Sequence, residues 1–230
     1  MPGSREVFLH ILRLEEFADQ SEEELLDRFG DLLSEDERAY QARPSSDKRR
    51  REILLSRMLV RTALSHHGGI DPRDWSFGAG EHGRPFIAGP VQPDLDFNLT
   101  HTEGMIVCLV ASIPGAGVDV EFLPRRNDTA GVARHFFAPQ EQAGLPERFF
   151  DYWTLKEAYI KARGKGLALP LDGFWFDISG AEPVIAFDER IPDDPARWRF
   201  QTLSLSPEHL CSVALPIGAG PKPLVTLFEF

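Results

Sequence analysis

Cysteine is nearly absent from these 230 residues. Cys108 and Cys211 lie far apart in the chain and in no C-x-x-C, so neither a thiolate zinc site nor a disulfide framework is indicated, and a reducing compartment fits this usage. Long apolar runs are missing too. The best, Met105 to Ala111, is far short of the ~20 residues that cross a bilayer. The start, Met1-Pro-Gly-Ser-Arg-Glu, has no basic region followed by an apolar core. The expectation is a soluble, cytoplasmic protein without membrane contact. Positive charge is also short: 25 Lys and Arg against 36 Asp and Glu leave a net charge of −11. That excludes a general nucleic-acid binder unless the basic residues are strongly clustered. Disorder and coiled coil are excluded by what is present, since 42% hydrophobic and 10% aromatic residues can fill one sizeable core or two small ones.

Basic residues do cluster. Acids dominate between Glu15 and Asp36, whereas Arg43 to Arg61 holds seven basic residues against Asp47 and Glu52. Asp47 to His67 reads as a helix, with Asp47 as N-cap and Gly68-Gly69 as the stop. At 100° per residue Arg50, Arg57 and Arg61 share a narrow stripe, with Leu55, Met58, Leu59 and Thr62 on one flank. The stripe admits two readings, an anion-binding ridge or a solvated face. Beyond Gly68 frequent Gly and Pro break the chain into short strands and turns, among them Leu95 to Leu99. Met105 to Ala111 reads as a buried strand forming a hairpin, through Pro114 to Gly117, with the alternating Val118 to Phe122. Glu141 to Arg163 is helical in pattern. Strands follow at Phe174–Ile178, Trp198–Leu205, Leu210–Leu215 and Leu224–Phe230. Helix followed by strands occurs on each side of about residue 115, which suggests a duplicated α+β architecture.

Three segments carry chemistry. In Gly117-Val-Asp-Val-Glu-Phe122 a period of two sends Asp119 and Glu121 to one face, where like charges must be solvated or bridged by a hard cation with oxygen ligands. In Trp153-Thr-Leu-Lys-Glu-Ala-Tyr-Ile-Lys161 a helix puts Trp153, Glu157, Ile160 and Lys161 on one side with Lys156 at its edge. The bland account of Glu157 and Lys161 is an i, i+4 pair; against it, charges on a mostly apolar helix need partners. Lys156, Lys161 and Lys165 are thus candidates for a ligand's phosphates, and Glu157 for a metal site. Phe97-Asn-Leu-Thr-His-Thr102 ends a strand in Thr100, His101 and Thr102, a weak signal alone, as is Gly83-Arg84-Pro85.

Taken together, Gly83-Arg-Pro85, Phe97-Asn-Leu-Thr-His101, Gly117-Val-Asp-Val-Glu121 and Trp153-Thr-Leu-Lys-Glu-Ala-Tyr-Ile-Lys161 resemble the 4′-phosphopantetheinyl transferases of the larger, two-lobed type. The motifs stand in that family's order and at roughly its spacing, and the likeness runs from the helix of Arg50 to Arg61 through Gly164 to Pro170. The resemblance implies an α+β fold of two similar α/β lobes, a pseudodimer with antiparallel sheets and the active site at the lobe interface. It divides the chain into 1–115, binding coenzyme A, and 116–230, bearing the metal site. It implies transfer of the phosphopantetheine arm of coenzyme A to a serine of an apo acyl or peptidyl carrier protein, by a monomer using Mg²⁺. Asp119, Glu121 and Glu157 would hold the metal. Glu157, Lys161 and His101 would serve catalysis. Gly83, Arg84, Pro85, Thr100, His101, Lys156, Lys161 and Lys165 would contact coenzyme A. The family often has Lys at Arg84 and Ser at Thr100. Lysines of some relatives in the segment matching Ser34 to Tyr40 are absent, leaving Arg50, Arg51 or Arg84 for the 3′-phosphate. The segment from Arg125 to Ala143, with Phe136-Phe137, is the candidate carrier-docking patch. Two other classes fit the acids alone: a metal-dependent phosphohydrolase and a non-catalytic binding module.

Overall fold

The structure is a computed structural model and describes residues 6–90, 95–124, 128–217 and 225–229, without the side chains of residues 143, 144 and 167. Along the chain run β1 (Val7–Arg13), α1 (Glu22–Phe29), α2 (Glu35–Gln41), α3 (Asp47–Gly68), β2 (Ser76–Ala79), β3 (Pro85–Gly89), β4 (Asp96–Thr102), β5 (Met105–Ala111) and β6 (Gly117–Phe122). There follow α4 (Thr129–Phe136), α5 (Phe149–Arg163), β7 (Phe174–Asp177), β8 (Val184–Phe187), β9 (Arg199–Ser206), β10 (His209–Leu215) and β11 (Val225–Glu229). Leu224 and Phe230, at the ends of the expected last strand, lie outside the described residues.

Two sheets organise the core. The first has the order β11-β1-β5-β4 and the second β6-β10-β9. Strand periodicity explains their stacking. Val7, Leu9 and Ile11 of β1 and Met105, Val107 and Leu109 of β5 meet Val118, Val120, Cys211 and Val213 of the second sheet. On the opposite face Leu12, Ile106, Cys108 and Val110 meet Leu54, Met58, Leu59 and Ala63 of α3. The far side of the second sheet carries Phe200 and Ala214 beneath Tyr152, Leu155, Ala158 and Tyr159 of α5. The result is four layers, helix on sheet on sheet on helix. Every residue of β5 is buried because both its faces are covered, hence its unbroken apolar run.

The expected α+β class with antiparallel sheets holds, except that β11 runs parallel to β1. The expected β5–β6 hairpin does not form. β5 pairs with β1 and β4, and β6 with β10, because the turn at Pro114 to Gly117 carries the chain from one stacked sheet to the other. Gly117 is required there: a Cβ would lie 2.2 Å from the Ala158 carbonyl oxygen, so α5 rides directly on the start of β6. The helix caps are nearly as expected, with Ser46 rather than Asp47 capping α3 and Gly69 (φ 66°) ending it. Helicity between Glu141 and Arg163 is interrupted near Leu145-Pro146, so α5 proper starts at Phe149.

Behind β1 sits an imidazole pair. Nε2 of the buried His10 lies 2.9 Å from His67 Nε2, and the His10 ring stacks on Phe228 with centroids 4.8 Å apart. Burial and the neighbouring histidines His67 and His66 lower His10 to about 3; burial and His66 lower His67 to about 4. The native chain therefore refuses protons that the unfolded chain takes up below its ordinary histidine pKa of ~6.5, and stability falls as pH drops from there. We expect the melting temperature to decline between pH 6.5 and 5, before most carboxylates titrate, and His10→Phe to flatten that decline. Parallel slopes for wild type and variant in thermal melts would assign the acid sensitivity elsewhere.

Candidate active site

The chemistry gathers where α5 crosses β6. Residues 153, 157 and 161 are spaced by four, so they form one stripe of α5, and that stripe faces the carboxylates of β6. Trp153 Nε1–H donates to Glu121 Oε1 at 3.1 Å. One turn on, Glu157 has its carboxyl pushed up to about 7, first by burial and then by the charges of Asp119 and Glu121. Another turn on, Lys161 Nζ lies 2.6 Å from Asp119 Oδ1 and 2.9 Å from Thr100 Oγ1. Thr100 in turn donates to Asp119 Oδ1 at 3.2 Å. Asp119 is buried, and burial raises its pKa against the pull of Lys161. Its second oxygen, Oδ2, is buried with no hydrogen-bond partner.

Thr100 and His101 are consecutive on β4, so their side chains leave opposite faces of the strand. Thr100 reaches the acids, while His101 lines a cavity of about 720 Å³ between α2, α3 and the β2–β3 hairpin. Arg49, Arg57 and Arg61 from α3 line that cavity together with Asp36 and Glu37 of α2, with Phe77, Gly83 and Pro85 also in its wall. Arg49 Nη1 lies 2.9 Å from His101 Nε2 and 3.2 Å from Glu52. Enclosure of the ring and the Arg49 guanidinium lower the His101 pKa, and Nε2 accepts from Arg49, which can only donate. Glu37 meets Arg61 at 2.6 Å and Arg57 at 3.5 Å. A basic, partly apolar hollow thus stands one residue away from a cluster of carboxylates and a lysine.

The structure brings together Thr100, His101, Asp119, Glu121, Glu157 and Lys161, with Gly83 and Pro85 at the cavity. Other expected site residues are placed elsewhere. Arg50 is held by both Glu22 oxygens at 2.8 Å, by the Pro44 carbonyl at 2.8 Å and by Asp47. Arg51 donates to the Phe17 carbonyl and lines a separate hollow with Leu14 and Lys48. Arg84 donates to the carbonyls of Lys161 and Ala116 and to Asp96, pinning the C-terminal end of α5. Lys156 is wholly buried in the core beneath α5, 2.9 Å from Glu141 and bonded to the carbonyls of Leu171 and Phe174. Lys165 is exposed beyond the end of α5 and lines no part of the cavity. Nothing in the sequence singles out Arg49. It sits in the run Arg49-Arg-Arg51, and only the helix facing, fixed by Leu54, Leu55 and Met58 in the core, selects it over its neighbours.

Do these residues suit a divalent cation? The donors are oxygens, as a hard ion prefers, and the partnerless Asp119 Oδ2 beside a crowded Glu157 is the arrangement a cation would relieve. Among the described residues, however, no three acidic, imidazole or thiol side chains already converge as a ligand set. Lys161 and Trp153 occupy one oxygen each of Asp119 and Glu121, which leaves Asp119 Oδ2 as the oxygen open to a cation.

A carboxylate cluster joined by one strand to an arginine-lined hollow offers charges suited to an anionic group. Residues 115–214 match the family model of the 4′-phosphopantetheinyl transferase superfamily. The 4′-phosphopantetheinyl transferase HetI of Nostoc sp. (strain PCC 7120) is 32% identical over 215 residues, covering 89% of this chain and 86% of HetI. A 4′-phosphopantetheinyl transferase of Bacillus subtilis is 43% identical over 129 residues, 53% of this chain and 55% of that protein, so this match spans about half the relative's length. The transferase Sfp of Bacillus subtilis (strain 168) is 33% identical over 156 residues, 64% of this chain and 67% of Sfp. The chain belongs to the 4′-phosphopantetheinyl transferase superfamily. Among the described residues no helix is long and apolar enough to cross a membrane.

Proposed function

We propose that this chain moves the phosphopantetheine arm of coenzyme A onto a serine of an apo carrier protein and releases adenosine 3′,5′-bisphosphate. The observation that carries the reading is the Thr100–His101 step, which joins the basic cavity to Asp119, Glu157 and Lys161. In the reaction the serine oxygen bonds to the phosphorus bearing pantetheine, and the pyrophosphate bridge breaks. Glu157, with a pKa near 7, takes the serine proton at its carboxylate. Lys161 meets the charge gathering on the departing phosphate, with His101 beside it. Asp119, Glu121 and Glu157 would hold Mg²⁺, which when bound supplies charge neutralisation at the pyrophosphate.

In this reading residues 1–115 and 116–230 act as two related lobes with the site between them, although β11 returns to the first sheet beside β1. The protein works as a cytoplasmic monomer. The carrier docks beside α4, where Arg134, His135 and Phe136 are exposed in succession, a basic and apolar patch suited to an acidic partner. Phe137 is no part of it, being buried against Phe149. Arg125 lies outside the described residues, as do the side chain of Ala143 and the neighbouring residues 126 and 127.

Mass spectrometry of several apo carriers tests the proposal: a gain of about 340 Da on one serine is expected only when coenzyme A and a divalent cation are both present. Full transfer in chelator would remove the metal. Breakdown of coenzyme A without carrier would favour a phosphohydrolase, and binding without turnover a non-catalytic module.

With Arg50, Arg51 and Arg84 engaged elsewhere, the 3′-phosphate contact falls to Arg49, assisted by Arg57. Charge-assisted hydrogen bonds contribute ~1.5–3 kcal/mol, so Arg49→Ala should weaken coenzyme A binding on the order of tenfold to a hundredfold. Dephospho-coenzyme A, which lacks that phosphate, should bind almost as before. Calorimetric titration with both ligands decides, and equal losses would mean that Arg49 only steers charge.

A further inference from the structure

Strand β6 is an edge of its sheet. β10 occupies one side, and the other side turns towards β4, itself the edge of the first sheet. Backbone amides at a buried edge need acceptors, and here side chains supply them. Val118 N–H donates to Asn98 Oδ1 at 2.9 Å, Val120 N–H to Thr100 Oγ1 at 3.4 Å, and Phe122 N–H to Thr102 Oγ1 at 3.1 Å. Every second side chain of β4 therefore forms a rung to every second amide of β6. The separation is 20 residues in each rung, so the two edges run parallel and in register.

The rungs bracket the acids. Asp119 lies between the amides of Val118 and Val120, and Glu121 between those of Val120 and Phe122. The central rung, Thr100, also bonds to Asp119 and Lys161 of the acid cluster; the outer two accept from the β6 backbone. Resting on the transferase reading, we propose that Asn98 and Thr102 are positioning residues for group transfer, holding β6 so that Asp119 and Glu121 stay aligned with Thr100 and His101. The division of labour across the seam makes this distinctive. The basic cavity is lined by residues between Ser34 and His101 alone, whereas Asp119, Glu121, Glu157 and Lys161 all come from beyond the seam. Loosening an outer rung shifts the carboxylates and lysine relative to the cavity without altering the cavity. The rate therefore falls while coenzyme A affinity holds. The seam stays closed, since Arg84 bonded to Asp96 and Ala116, and His209 Nε2–H donating to the Glu103 carbonyl at 2.8 Å, tie it at other points.

Asn98→Leu and Thr102→Val remove the acceptor at nearly constant volume, and Thr102→Ser keeps the hydroxyl. The readouts are kcat with an apo carrier, the dissociation constant for coenzyme A, and hydrogen exchange at the Val118 and Phe122 amides. A displacement of about 1 Å at a reacting site can cost ~100-fold, and partial loosening should cost on the order of tenfold in kcat. The dissociation constant for coenzyme A should stay within about twofold, exchange should quicken at the amide that lost its rung, and Thr102→Ser should retain both the rate and the protection. Unchanged exchange, an unchanged kcat despite faster exchange, or a parallel loss of kcat and coenzyme A affinity would each overturn the proposal. A wild-type chain that modifies no carrier would overturn the transferase reading and, with it, the reaction these residues serve. Exchange and calorimetry, which need no carrier, identify separately a failure of the ladder itself.

Discussion

Asp119→Asn should lower turnover on the order of a hundredfold or more at saturating Mg²⁺ and leave coenzyme A affinity close to wild type. The asymmetry follows from position. Asp119 lies across the seam from the cavity and lines none of it, so its charge bears far less on holding coenzyme A than on the reacting centre. Its charge matters when the pyrophosphate bridge breaks, because Oδ1 orients Lys161 at 2.6 Å and Oδ2 is the oxygen left for a cation. Folding should survive, since burial already disfavours the Asp119 carboxylate and an amide fills the same space while still bonding Thr100. Glu157→Gln should match it for a different reason: the carboxylate that takes the serine proton is gone while the side chain keeps its shape. Single-turnover transfer to an apo carrier, paired with calorimetry, measures both quantities. Near-normal turnover of either variant would remove that residue from the chemistry, and a matching loss of coenzyme A affinity would place it in binding.

The parts of this site that sequence reveals are those set by local periodicity. Period two in Gly117 to Phe122 puts Asp119 and Glu121 on one face, and the spacing of four in Trp153, Glu157 and Lys161 puts an acid and a base on one helical stripe. Both survive because each depends only on its own element. Choices made by distant partners are not legible. Arg50 and Arg49 are neighbours in one basic run, and what separates them is Glu22, on another helix, which captures Arg50. The second sheet was readable as strands, but its separation from β5 was not, since the pairing of β6 with β10 joins residues some ninety positions apart, and long-range pairing leaves no local pattern. The return of β11 to β1 is hidden for the same reason. Ser21 and Ser34, by contrast, cap α1 and α2 through reciprocal bonds with Glu24 and Glu37, a spacing written in the sequence.

Lys156 shows how such a long-range partner changes a residue's expected role, and its removal should produce a large loss of stability. The side chain is wholly buried with Glu141, also wholly buried, at 2.9 Å. Burial pulls the lysine pKa down and the glutamate pKa up, and the surrounding contacts oppose both shifts. The ammonium donates to the carbonyls of Leu171 and Phe174 and sits 4.3 Å from the Phe174 ring centre. The carboxylate accepts from the amides of Ala138 and Phe176. The pair thereby ties the turn before α5 and the strand after it to α5 itself. Lys156→Met leaves a buried carboxylate without its counter-charge, and breaking such a pair from one side costs ~3–5 kcal/mol. Glu141→Gln alone strands the ammonium and should cost a comparable amount. The double variant should recover much of the loss, because replacing both charges by groups of similar volume is often close to neutral. Urea denaturation of the four proteins closes the cycle. A Lys156 that served phosphates, as the motif alone suggests, would give the opposite pattern: coenzyme A affinity would collapse in Lys156→Met, its stability would stay near wild type, and Glu141→Gln would restore nothing.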